Sequence, residues 1–169
     1  YVARLGTHDG VYWVHDLDQW FNGVALPALQ NPPPTPSSFN MRRVEPSFGA
    51  YGWTFTADAA RAPEFLTASS VSPGGLTLTG SGLAAVQTPA LYRPGERVTL
   101  AGATTSSARA DAAGRIAFQV DLGAPHTQQQ YTTGERLAEL SAGDVYFTTR
   151  TVVLHAHPTA QGGGSRATS

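Results

Sequence analysis

Ala108-Arg109-Ala110-Asp111-Ala112-Ala113-Gly114-Arg115-Ile116-Ala117-Phe118-Gln119-Val120-Asp121-Leu122 is the stretch that decides the fold class. Ile116, Phe118, Val120 and Leu122 alternate with Ala, Gln and Asp, so one face of an extended strand is apolar and the other polar. Asp111-Ala112-Ala113-Gly114 has the composition of a turn, which predicts a hairpin between 108–110 and the strand at 116–122. The same period recurs on both sides. Phe48, Trp53 and Phe55 stand near alternating positions, Gly75-Leu76-Thr77-Leu78-Thr79 alternates strictly, and Val98 and Leu100 follow the turn Arg93-Pro94-Gly95-Glu96. At 145–155, Val145, Phe147 and Val153 fall on one side and Tyr146, Val152 and Leu154 on the other, which predicts a central strand. Seven or eight short strands spaced in this way predict an antiparallel, Ig-like β-sandwich over 44–157, with one helical turn at 134–141 crossing between sheets.

The residues before the sandwich have a different period. Trp13, Leu17, Trp20, Phe21 and Val24 share one face of a helix over 11–25, with Asp9 as its cap and Gly23 and Pro27 at its end. Burying its large side chains stabilises by roughly 1.5–3 kcal/mol each, and the surface that covers them is not evident in the flanking sequence. Residues 1–7 read as the end of a strand that needs sheet neighbours. Pro32, Pro33, Pro34 and Pro36 form an extended spacer. The expected organisation is therefore 1–29 as strand, loop and helix, 30–43 as a proline-rich linker, 44–157 as the sandwich, and 158–169 as a flexible tail. Starting at Tyr1, the chain is expected to continue a polypeptide that begins upstream.

Composition narrows the function classes. Of the 169 residues 41 % are hydrophobic, enough for a packed core, and 14 % are charged. All 11 basic residues are arginines, spread along a chain of net charge −1, so no basic stripe exists for a nucleic-acid backbone. The absence of lysine together with abundant Ala, Gly, Pro and Thr fits a GC-rich bacterial source. Cysteine is absent, which excludes disulfides, thiolate nucleophiles and thiolate metal sites. No apolar run is long enough to span a bilayer as a helix.

The chemistry-bearing segment is Gly6-Thr7-His8-Asp9-Gly10-Val11-Tyr12-Trp13-Val14-His15-Asp16-Leu17. An imidazole just past a strand end, in a glycine-flanked loop before an amphipathic helix, has the chain position of the base in an α/β-hydrolase. Gly6-x-His8, Tyr12-Trp13 and the helix carrying Leu17, Trp20 and Phe21 resemble the C-terminal catalytic-histidine segment of the esterase D / mycolyltransferase-like family. Gly75-Leu76-Thr77-Leu78-Thr79-Gly80-Ser81-Gly82 and Tyr92-Arg93-Pro94-Gly95 also resemble the sandwich appended to some actinobacterial members. The resemblance implies a secreted or envelope-associated serine esterase or acyltransferase acting on a small acyl ester or an envelope lipid or polymer. In it, residues 1–29 would complete an α/β-hydrolase core supplied by an upstream segment or another chain. It implies His8 as the catalytic base and Tyr12 and Trp13 as acyl-pocket residues, packing against that core being their competing role. No cofactor and no metal are implied. The family's Gly-x-Ser-x-Gly nucleophile and its acid are missing before His8, so this chain alone is not expected to turn over esters. A second reading is a non-catalytic Ig-like module that docks a partner through its aromatic helix.

Three further features read as structural. Trp53 with Phe55 is expected in the core rather than as a sugar-stacking platform. His155-x-His157 is expected to be a surface pair, no third ligand being near it in sequence. Arg150 among Thr148, Thr149 and Thr151 fits either a buried ion pair or a surface position.

Overall fold

The computed structural model describes residues 34–143 and 146–156, and the chain divides into two units at Pro36/Ser37. All the elements below belong to the second unit. The expected strand and helix of 1–29 and the expected tail of 158–169 lie outside the described residues.

Ten strands form two antiparallel sheets. They are β1 (Phe39–Arg43), β2 (Ser47–Ala50), β3 (Trp53–Thr56), β4 (Leu66–Ser72), β5 (Gly75–Gly80), β6 (Leu83–Gln87), β7 (Arg97–Ala101), β8 (Ser107–Arg109), β9 (Ala117–Asp121) and β10 (Thr148–Ala156). The six-stranded sheet runs β1-β4-β5-β10-β7-β8 and the four-stranded sheet β2-β3-β6-β9. One core draws on both: Leu78, Val98 and Val152 from the larger, Phe55, Val86 and Val120 from the smaller. The arrangement is sandwich-like and mainly β, with a single helix among the described residues, α1 (Thr133–Ala142).

Alternation builds this core. Trp53 and Phe55 point inward while Thr54 and Thr56 point out, and Phe118 and Val120 are buried while Ala117, Gln119 and Asp121 are exposed. The expected face of Ile116, Phe118, Val120 and Leu122 is entirely buried. Trp53 and Phe55 are core residues, their rings stacked at 6.4 Å. The hairpin β2–β3 turns at Tyr51-Gly52, both with positive φ (51° and 82°), the backbone of a two-residue turn whose twist matches that of the strands.

Three expectations change. The segment at 108–122 is not a hairpin. Its turn forms, with Asp111 Oδ1 accepting from the N–H groups of Ala113 (2.8 Å) and Arg115 (2.9 Å). Beyond the turn, however, Ile116 exchanges hydrogen bonds with Thr88, so β9 joins β6 in the smaller sheet while β8 pairs with β7 in the larger. The turn is an arch from one sheet to the other. Second, β1 lies inside the span assigned to the linker: Phe39 and Met41 pair with Val71 and Ala68 of β4. Third, the helix at 134–141 extends to Thr133–Ala142. Of the two positions open to Arg150 the structure shows the surface one, with its guanidinium donating to the Asp121 carbonyl at 3.4 Å. The central position of β10, between β5 and β7, agrees with the sequence, but only Val152 and Leu154 are buried, whereas Val153 faces solvent.

Candidate functional site

Polar groups converge where the connection from β9 to β10, which contains α1, crosses the loop between β3 and β4. Glu64, in that loop, has a fully buried side chain. Its Oε1 accepts from Arg61 Nη1 at 3.1 Å and from the Ser81 hydroxyl, while Arg61 Nη2 donates to the Glu64 carbonyl at 2.9 Å. His126 Nδ1 lies 2.8 Å from Glu64 Oε2. Burial pulls the Arg61 pKa down, and the Glu64 carboxylate opposes that pull.

The backbone holds these groups in place. The His126 N–H donates to Ser81 Oγ (3.1 Å), and the Ala62 N–H donates to the His126 carbonyl (2.9 Å). The Phe65 N–H donates to Gln130 Oε1 (2.9 Å). Ser81 itself sits on the arch from β5 to β6. That arch needs Gly82, whose φ is +74° and whose absent Cβ would collide with Asp58. Asp58 in turn accepts from the N–H groups of Ala60 and Leu83, both at 2.8 Å. The His126 ring stacks on Tyr146 (centroids 4.1 Å, 24°) and meets Phe147 edge-on (5.3 Å).

Glu135 completes the group. Thr132-x-x-Glu135 is a capping-box pattern, and Thr132 Oγ1 does accept from the Glu135 N–H at 3.2 Å. The reciprocal bond from the Thr132 N–H goes to the Gln129 carbonyl instead. The Glu135 side chain turns inward, where the residue is 2 % exposed and neither carboxylate oxygen has a hydrogen-bond partner. Burial and then the neighbouring Glu135 carboxylate push the Tyr146 phenol well above its usual pKa, because each disfavours a phenolate there. One ligand atom each from Glu64, His126 and Glu135 lies within 4.8 Å of the others.

This group cannot act as a nucleophile–base–acid relay in the arrangement found. In such a relay the imidazole stands between the hydroxyl and the carboxylate. Here the carboxylate stands between Ser81 and His126, and the Ser81 hydroxyl is spent on Glu64.

A concavity of about 480 Å³ opens on the outer face of the smaller sheet. It is lined by Thr54, Thr56, Gln87 and Gln119 together with Thr104 and Thr105 of the β7–β8 loop. The Thr104 N–H donates to the Gln119 carbonyl (2.9 Å), so the loop also covers part of the exposed edge of β9.

The sequence-derived site residues His8, Tyr12 and Trp13 lie outside the described residues. His155 is exposed on β10, and His157 is outside the described residues. Glu64, Ser81, His126 and Glu135 escaped the sequence reading. They are isolated in the chain with no ligand spacing, and the signal nearest to hand, the capping box, places Glu135 on the surface. Comparison with protein-family models, curated proteins and solved structures finds no match.

Proposed function

We propose that the chain is the C-terminal portion of a secreted serine carboxylic-ester hydrolase or acyltransferase, in which His8 is the general base and the sandwich an accessory module. The supporting motif is Gly6-x-His8 with Tyr12-Trp13 and the aromatic helix face. The observation that carries the division of labour is the wiring around Glu64. The sandwich has its own core, and the buried Ser–Glu–His contact set found among the described residues is arranged for structure rather than acyl transfer. In this reading Tyr12 and Trp13 line the acyl pocket, and residues 1–29 complete an α/β-hydrolase core carrying the nucleophile and the acid. The sandwich is an Ig-like module, a reading helped by Trp53 buried against Phe55 between two antiparallel sheets.

Hydrolysis of a short p-nitrophenyl ester tests this. The purified chain is expected to be inactive, and adding the upstream polypeptide to restore turnover that His8→Ala abolishes. Restoration that survives His8→Ala, or no restoration, overturns the assignment.

The groove on the smaller sheet favours a second reading, a binding module. Its lining mixes hydroxyl and amide groups with the apolar Ala85, Val86, Ala117 and Phe118, which suits a polymer with both polar and apolar faces such as a polysaccharide. Retardation of the chain in polysaccharide-containing gels, lost in Gln87→Ala/Gln119→Ala, is the expected result, and unaltered mobility discards it.

A further inference from the structure

We propose that Glu64, His126 and Glu135 bind a divalent first-row transition-metal ion that pins α1 to the sandwich. Among the described residues of α1, Glu135 is the one buried side chain, while Leu137 and Leu140 are 60 % and 68 % exposed. Apolar burial therefore does not explain why this helix lies where it does. Its buried contact is a carboxyl group whose oxygens have no partner at hydrogen-bond geometry, and an unsatisfied buried polar group is costly. The side chain has an exposed alternative in the capping box and does not take it.

The remaining groups fit a cation. Two carboxylates and an imidazole form a mixed O/N ligand set, which suits ions such as Zn²⁺; Ca²⁺ and Mg²⁺ favour oxygen alone. Ligand atoms around Zn²⁺ at ~2.1 Å stand ~3.4 Å apart in a tetrahedral shell. The three atoms here lie within 4.8 Å of one another, so drawing them in by up to ~1.4 Å gives that shell. Outer partners orient the ligands as metal sites require. Arg61 and Ser81 hold Glu64 Oε1, Oε2 meets His126 Nδ1 at 2.8 Å in a contact the ion would replace, and Tyr146 and Phe147 fix the imidazole plane. The His126 side chain is 18 % exposed, which provides an entry path.

Zn²⁺ titration followed by calorimetry tests the site on the full chain. The other imidazoles are removed first, by His8→Gln, His15→Gln, His155→Gln and His157→Gln, which leaves His126 as the sole histidine. That protein is expected to bind one Zn²⁺ and to gain protection of the peptide bonds of 127–143 against protease. Adding Glu135→Gln is expected to weaken binding more than ~100-fold and Ser81→Ala ~10-fold, the latter within the range for an outer-shell partner. No saturable binding to the sole-histidine protein overturns the proposal, as does binding that Glu135→Gln leaves unchanged. If the Glu135→Gln chain does not fold, the thermal midpoint of the sole-histidine protein decides. A rise with Zn²⁺ supports the site, and an unchanged midpoint rejects it.

Discussion

The strand core and the crossover that carries α1 are held by opposite means. In the core, Phe55, Leu78 and Val120 are completely buried, and strands such as β3, β7 and β9 contribute alternate side chains. In the crossover, the helix leaves its leucines in solvent and buries a glutamate, and the segment 126–130 is fastened by backbone bonds to Ala62 and Pro63, by the Gln130 side chain accepting from the Phe65 N–H, and by the Glu64 cluster. The first mode is non-directional and repeats with period two. The second depends on a few groups meeting at one point, so one substitution alters it entirely.

Four measurements sharpen or break this contrast. Phe55→Ala is expected to cost ~3–5 kcal/mol in denaturant unfolding, since it empties the centre of the shared core; a loss under ~1 kcal/mol would deny that the sheets share one interior. Glu64→Gln is expected to cost about 3 kcal/mol, because it leaves the buried Arg61 guanidinium with only the more exposed Asp58 as counter-charge. Arg61→Met/Glu64→Leu is expected to recover most of that, and failure to do so would assign the cost to shape instead of charge.

Asp58 gives a pH signature. The N–H groups of Leu83 and Ala60, and then Arg61, hold its carboxyl below the usual range against the opposing effect of burial. Its folded pKa is thus below its unfolded one, so its contribution is complete above the unfolded value and fades as pH falls through the folded value. Asp58→Asn is expected to cost ~1 kcal/mol at pH 7, with the difference from the parent chain closing below about pH 4. A difference constant down to pH 3 would exclude the charge as its source. The smallest effect is expected at Leu137→Ser and Leu140→Ser, each within ~0.5 kcal/mol. A loss above ~2 kcal/mol would mean that α1 packs through its leucines after all.

The two modes also differ in how much of them the sequence displays. Strand positions at 75–79, 98–100 and 116–122 were legible because burial on one face writes a two-residue period into the chain. The turn at Asp111–Gly114 was legible as well, since its Asx geometry is local, but a turn does not specify which sheet receives the next strand. That choice was made by Thr88, far away in sequence. β1 was hidden by the proline run before it and by Arg42 and Arg43, which an edge strand tolerates. The cluster was not legible at all: Glu64, His126 and Glu135 come from separate loops and a helix, and nothing periodic links them.

The placement of β10 carries one more consequence. It is the last described strand in the chain, yet it fills the middle of the larger sheet, paired with β5 on one side and β7 on the other. Any polypeptide that stops before Thr148 leaves both neighbours with open edges and divides that sheet into two fragments. Assembly is therefore deferred until synthesis has passed Ala156, and a prematurely terminated product is exposed to aggregation in place of a smaller folded domain.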